Sequence, residues 1–477
     1  MGESQNQNVV FDVLIVGAGP AGLAIGSELC KKHKVLLIEK NEAGKTFRSW
    51  FCPPFVFDDS VKPFTKGGVT RFLTDMFGLR ETGQNIKWEA ELFNEYPYIQ
   101  EKELLPHWIN IIENSNTGSR IINQCAYIDY FIEDNIVSLS TTGGLFKGKL
   151  LIDASGQDSK IVKKLGINQD GFYWWSVYGN HYDTPADLPD EIKPGDYMLW
   201  ETYKDVPLDL PGASLGAGRP VLEYEIFMDN KAVIFILYLR KYKMDMDVMK
   251  GVFDRIMEQE SSTKVFHTFT KKDAIFGWYP SGGLSQKLAQ DRVSIVGDAG
   301  CWTTPCGWGM SFILNNYKCY SDKLSKLIDE DKLDRDCLNG ITSFSMVNEM
   351  EILFNKFIMH LYIHFPSDLL DKLVLLLKDI GYIYIEKIFT LTLEFKDCVT
   401  VLERILETFE IKLIKSIVPE KVHDEIDKVV SFFSKGPLKK IAVDVIKDFD
   451  HLKEDVDKYL FHKEKSKILN GFKFDNC

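Results

Sequence analysis

The sequence predicts an α/β Rossmann-type domain, an antiparallel β-sheet domain set into it, and a helical C-terminal region. Three observations predict this. Near the N-terminus a β-branched run, a Gly17-x-Gly19-x-x-Gly22 turn and an apolar helix follow one another directly, and the next apolar run ends on an acid, Glu39. Between residues 172 and 285 the segments "DYMLWETY", "RPVLEYEIFMD" and "KAVIFILYLRKY" are rich in β-branched and aromatic residues and read as strands. From about residue 340 the apolar residues recur at helical spacing, as in "EMEILFNKFIMHLYIHF".

Each part of the first segment has a physical job. Val9 to Val16 reads as a buried parallel strand. Gly17 permits the tight turn, Gly19 lets the backbone approach a pyrophosphate, and Gly22 lets the helix pack closely on the strand. The helix that opens at Pro20-Ala21 offers free N–H groups and a partial positive charge to phosphate. Glu39 lies 22 positions after Gly17, at the end of the second strand, Val35 to Ile38. Its carboxylate can accept both hydroxyls of an adenosine ribose and would repel a 2′-phosphate, so the ligand is expected to be FAD or NAD rather than NADP. Lys40, next in the chain, is counted with this site.

The stretch "VGDAGCWTTPCGWGM", Val296 to Met310, discriminates between the two dinucleotides. A flavin needs a second contact for its ribityl chain and ring. Gly297 permits close backbone approach and Asp298 accepts hydroxyl hydrogen bonds. The following helix carries Met310, Ile313, Leu314, Tyr317, Leu324 and Leu327 on one stripe. Its N-terminus, at Gly307-Trp308-Gly309-Met310, would stabilise negative charge on a reduced flavin. An α/β Rossmann-type FAD-binding domain is therefore expected.

"VLIVGAGPAGLA", "LLIDASG" (Leu150 to Gly156) and "DRVSIVGDAG…P…GWGM" together resemble the FAD-dependent superfamily of aromatic hydroxylases, flavin halogenases, geranylgeranyl reductases and lycopene cyclases. The resemblance covers roughly residues 9–330. It implies FAD as cofactor, Gly156 in the cofactor site, and Arg48, in the Arg48-Ser49-Trp50 loop, reaching toward the flavin. It also implies a domain order: residues 9–171 as the first part of the FAD domain, 172–285 as the sheet that holds substrate, 286–335 as the second part, and 336–477 as the helical region.

The middle unit is aromatic, and Trp174, Trp175, Trp200, Tyr224, Trp278 and Tyr279 are the expected wall of an apolar substrate pocket. Such rings also stabilise a passing cation. Asp229-Asn230 reads as a hairpin turn, and "DVMKGVFDRIMEQE" as a helix. Within the superfamily the nearest likeness is to lycopene cyclases, which protonate a polyene with a glutamate in a Phe-Leu-Glu-Glu-Thr run. The matching strand here reads Phe235 to Arg240 and has no acid, which leaves Glu201, Glu223 and Glu225 as candidates. Geranylgeranyl reductase, which adds hydride and proton to an isolated double bond, is the nearest alternative. The Trp-x-Trp-x-Ile-Pro run of halogenases is absent. No single catalytic residue is assigned.

The expected function is thus FAD-dependent double-bond reduction or flavin-assisted cyclisation of an apolar, isoprenoid-like substrate. A flavin monooxygenase or halogenase-type enzyme is the first alternative. A prenyl-lipid carrier that has lost its flavin, as in the related Rab GDP-dissociation inhibitors, is the second. With no second glycine motif, electrons must come from transiently bound NAD(P)H or from a partner reductase.

A net charge of −12 argues against nucleic acid as partner. The nine scattered cysteines suggest a reducing compartment. Cys301-x4-Cys306 reads as a loop pair, with a redox dithiol as the sharper alternative, and no metal site is expected there. The polar N-terminus carries no signal-like core, and Asn6 stands where an N-myristoylation motif needs Ser or Thr. No run of ~18 apolar residues is present. A cytoplasmic protein is expected, with peripheral membrane contact through the C-terminal helices left open.

Overall fold

A computed structural model describes residues 9–45, 48–68, 71–76, 86–89, 96–167, 173–200, 220–227, 229–281, 289–303, 309–341, 349–381, 384, 395–418, 420 and 423–434. Its first layer is a largely parallel sheet. β1 (Val10–Val16) lies between β2 (Val35–Ile38) and β11 (Gly144–Asp153), with β8 (Arg120–Ile122) beyond β2 and β18 (Val293–Ile295) beyond β11. The short β17 (Ala289–Gln290) closes one edge, and the hairpin of β9 (Tyr127–Glu133) and β10 (Ile136–Thr141) branches from β11. β1 and β2 are Val, Leu and Ile rich and buried from Leu14 and Val35 onward because helices cover the sheet. α1 (Pro20–Leu29) packs against α2 (Glu101–Glu113) and α5 (Gly309–Asp329) on one face. Ile15, Leu23, Leu37, Trp108, Ile295 and Tyr317 belong to the shared core. Met310, Ile313, Leu314, Tyr317 and Leu324 of the expected α5 stripe are all buried.

The second layer is a seven-stranded sheet in the order β16 (Thr270–Ser281), β12 (Tyr173–Asp183), β15 (Lys231–Arg240), β14 (Val221–Ile226), β13 (Asp196–Trp200), β5 (Arg71–Met76) and β6 (Ile86–Glu89). The strands from β12 to β16 are antiparallel, and Asn230, at φ 58°, makes the β14–β15 turn that Asp229-Asn230 predicts. β5 and β6 correct the expected boundary: the segment before residue 171 sends two strands into this sheet, and β5 pairs in parallel with β13. Ser49 to Phe51, expected in a loop, is strand β3 (Ser49–Phe51), which pairs with β7 (Tyr98–Gln100) beside β4 (Thr65–Lys66).

α4 (Met246–Gln259) covers one face of the large sheet, its first turn capped by the Asp245 carboxylate, which accepts from Asp247 and Val248 N–H. α3 (Lys160–Lys164) caps the end of β11 and α6 (Arg335–Gly340) packs on β17. Leu338 and Ile341 join the first core, so that unit runs slightly past the expected residue 335. The C-terminal region is helical as expected. α7 (Glu349–His364), α8 (Ser367–Ile380) and the helices Phe395–Thr408, Ile411–Ile417 and His423–Ser434 share their own apolar core around Phe357, Leu361, Leu402 and Ile405. No helix among the described residues is long and apolar enough to cross a membrane. Cys30, Cys52 and Cys125 are buried thiols, whereas Cys319 on α5 is disulfide-bonded, which departs from the all-thiol expectation.

Candidate dinucleotide and substrate site

The glycine turn after β1 is closed on two sides and open on the third. A Cβ on Gly17, whose φ is 105°, would lie 2.4 Å from the Ala154 carbonyl oxygen, and one on Gly22 would lie 2.0 Å from the Gly17 carbonyl oxygen. These two glycines are forced by the packing of α1 on β1 and β11. Gly19 faces open space, with nothing within 4 Å of its Cβ position. Gly19 is also the N-cap of α1, and no side chain caps that end. An uncapped helix N-terminus behind an open glycine is the arrangement that accepts a pyrophosphate. Glu39 sits where the ribose would lie. Its Oε2 accepts from Ala18 N–H at 2.9 Å and its Oε1 from Asn41 N–H at 3.0 Å, which fixes the carboxylate beside the turn. Lys40 is exposed beside it. These residues fit a dinucleotide.

The second motif meets the first although some 280 positions separate them. Gly297, at φ 63°, begins a 3-10 turn, Gly297–Gly300, that ends β18. A Cβ there would lie 2.8 Å from the Ala21 side chain in the first turn of α1. A Cβ on Gly309, the first residue of α5, would lie 3.7 Å from Asp298 Oδ1. The N-termini of α1 and α5 and the Asp298 carboxylate therefore converge. Burial pushes the Asp298 carboxyl upward, partly offset by the Arg48 guanidinium and reinforced by Glu101. Arg48 Nη2 also lies 4.0 Å from the Cβ position of Gly277 on β16, so this cation spans the two layers. Glu101 N–H donates to the Arg48 carbonyl at 3.0 Å, and Trp50 Nε1–H donates to Glu101 Oε1 at 2.9 Å. Glu101 Oε2 is buried without a hydrogen-bond partner among the described residues.

Gly156, at φ 85°, ends the turn after β11 with open space at its Cβ position. Asp153, just before it, is structural: it accepts from Ser155 N–H at 3.0 Å, from Ser155 Oγ at 2.6 Å and from Ser159 Oγ.

The large sheet has two unlike faces. Tyr173, Trp175, Tyr197, Val221, Phe227, Val233, Leu237 and Leu239 share one face, where Tyr96, Tyr98 and Ile363 of α7 meet them. Trp175 and Tyr279 stack there with centroids 6.3 Å apart. Three expected pocket residues lie on the other face, which is a correction. Tyr224 packs edge-on against Phe266 at 4.9 Å, in the core under α4. Trp174 lies under Lys243, whose Nζ is 4.4 Å from the ring, and Trp278 Nε1–H donates to the Met244 carbonyl at 2.8 Å. Strand alternation sets this: Trp174 and Trp175 are neighbours and point to opposite faces. The side chain of Trp200 lies outside the described residues, as do Glu201, Cys306, Gly307 and Trp308. Cys301 is buried in a left-handed conformation at φ 53°. Met310 is buried in the first turn of α5.

The inward face also carries two acids. Glu223 accepts from the Tyr197 hydroxyl at 2.5 Å, and burial raises its carboxyl to about 7. Burial and the neighbouring Glu223 push Glu225 well above the usual carboxylate range. Tyr98 and Tyr197, pushed upward by burial and by these acids, stay neutral phenols. The sequence leaves Glu223 and Glu225 among three candidate acids, and it does not single out Tyr98, Tyr197, Glu101 or Cys52. Their signal was present for the strand acids alone, as an i, i+2 pair within an aromatic strand.

The family model for the NAD(P)-binding Rossmann-like domain matches residues 15–76. No protein of curated function matches the chain in sequence. Among solved structures the fold is similar to a geranylgeranyl bacteriochlorophyll reductase-like protein from Thermoplasma acidophilum, with TM-score 0.63 and 16% identity over 87% of this chain and 99% of that one. It is also similar to a flavoprotein/dehydrogenase from Cytophaga hutchinsonii, with TM-score 0.53 and 14% identity over 93% of this chain and 100% of that one. A flavin-dependent brominase shares the fold at TM-score 0.54 and 13% identity, over 80% of this chain and 94% of its own. The chain thus has a Rossmann-type α/β fold with an antiparallel sheet and a helical C-terminal region.

Proposed function

We propose that this protein is an FAD-dependent oxidoreductase that reduces a double bond in an apolar, isoprenoid-like substrate. The observation that carries the reading is the meeting of Gly297 and Asp298 with the first turn of α1, beside Arg48 and the start of α5. A dinucleotide with a nicotinamide needs the first glycine turn. The ring and ribityl chain of a flavin give a purpose to the second. FAD would be held by Gly17, Gly19, Pro20, Ala21, Gly22 and Glu39 at its adenosine end, and by Arg48, Gly156, Asp298, Gly309 and Met310 toward the ring. When bound, flavin supplies two-electron chemistry. The chain's own residues orient it, exclude water with Trp175, Tyr279 and Tyr98, and present the N-terminus of α5 to its negative charge. Names of the fold neighbours support the class: one is reductase-like and one a flavin-dependent brominase. Electrons come from an external NAD(P)H or reductase.

An absorbance spectrum of the purified protein tests this. A flavin spectrum that stays with the protein through gel filtration supports the reading. A colourless protein that also refuses added FAD would sink it and leave lipid carriage as the leading idea.

A further inference from the structure

We propose that Glu225, backed by Glu223, is the proton donor of this site: a neutral carboxylic acid set in the inward wall of the large sheet. The inference rests on the flavin reading above. Glu223 and Glu225 are two residues apart on β14 and so share a face. Glu225 is 5% exposed, and its Oε2 has no hydrogen-bond partner among the described residues. Neither acid forms an ion pair among the described residues. Tyr197 on β13 engages Glu223, and Tyr98 on β7 and Cys52 lie close enough to Glu225 for its charge to raise both. Among the described residues, the groups shown to lie by the pair are two phenols and a thiol, none of which compensates a negative charge.

Two carboxylates on one apolar face cannot both ionise, because each charge lacks water and repels the other. The Tyr197 hydroxyl stabilises the ionised form of Glu223. The proton therefore resides on Glu225. Its position suits delivery. The Cys52 thiol bonds to Ser311 in the first turn of α5, so Glu225 stands across from the helix end that faces the ring position.

The step balances as follows. The O–H bond of Glu225 breaks, and the π pair of the alkene forms a C–H bond at one carbon. With reduced FAD bound, the flavin would supply the hydride for the other carbon, and the external NAD(P)H or reductase would return its two electrons. Glu225 recovers a proton through Glu223 and Tyr197.

The probe is N,N-dimethylgeranylamine, whose ammonium imitates the cation made by protonation, with geraniol as the neutral control. The wild type should bind the ammonium about tenfold more tightly than geraniol, since the bound cation makes Glu225 release its proton to solvent and leaves an ion pair. Glu225→Gln should lose that preference and keep geraniol affinity. Infrared spectra at neutral pH should show a protonated-carboxyl C=O band in the wild type that is missing in Glu225→Gln. Equal amine affinity in both proteins, no amine binding, or no such band in the wild type overturns the inference, and the last two need no folded variant. Flavin absorbance is read on the same samples. Loss of flavin with the band and amine preference intact is a failure of the flavin reading alone; retained flavin without them is a failure of this one.

Discussion

The two faces of the seven-stranded sheet are made of the same strands and do different work. Under α4, Tyr178, Leu222, Tyr224, Ile234, Ile236 and Tyr238 close against Phe253, Phe266 and Phe269, with the buried Arg240 over the Tyr238 ring and no carboxyl in that cluster. Toward the dinucleotide layer, alternate residues of the same strands present phenols, Trp175 and two carboxyls. The first face supplies stability. The second gives some of it up, because a buried acid without a counter-ion costs free energy unless it keeps its proton. Natural sequences break packing rules where a site needs chemistry, and here the break falls on one side of a sheet only.

Substitutions separate the roles of the two faces. The largest effect on cofactor retention is expected in the dinucleotide layer, where Gly22→Val would drive a side chain into the Gly17 carbonyl. Flavin retention should vanish and overpacking should cost about 1–3 kcal/mol; a variant that keeps its flavin spectrum and melting temperature would refute the packing argument for this glycine. Phe253→Ala opens the closed face, where Phe253 is 1% exposed, and should cost about 3–5 kcal/mol in urea melts while the surviving folded protein binds FAD normally. On the open face the signature is pH. Glu223 has its folded value raised from 4.5 to about 7, so the folded protein holds a proton that the unfolded chain has released. Its stabilising effect is full below pH about 4.5 and is lost as pH rises through about 7. Denaturation midpoints of wild type minus Glu223→Gln should fall across that window, and a flat difference would mean the carboxyl is solvated. The smallest effect is expected at Trp278→Phe, which removes the bond to the Met244 carbonyl. It should cost about 1 kcal/mol and leave the flavin spectrum untouched, which titration and absorbance together would check.

The sequence made the nucleotide layer legible because its parts are contiguous. Gly17, Gly19, Gly22 and Glu39 act through local geometry, and the strand, turn and helix that carry them leave periodic traces. Gly297 and Asp298 were readable for the same reason. The sheet was harder. Trp174 and Trp175 differ by one position, and only pairing with β15 and β16 decides which of them faces the dinucleotide. The i, i+2 spacing of Glu223 and Glu225 shows that they share a face but not what covers it. Burial comes from Tyr98, Tyr197 and the layer beyond, which are distant in the chain. β5 and β6 are short, and although they pair with each other, they join the sheet only through β13, which meets β5 across more than a hundred residues.

That crossing of β5 and β6 into the large sheet has a consequence for how the protein can be handled and how it moves. The backbone passes from one layer to the other and back before the main excursion begins at β12, so the layers are stitched at two places. A fragment cut at residue 172 would carry away β5 and β6 and leave β13 as a raw edge, ready to pair with another chain. The protein is therefore indivisible at its apparent seam. The stitching also denies the layers a free swing about one hinge.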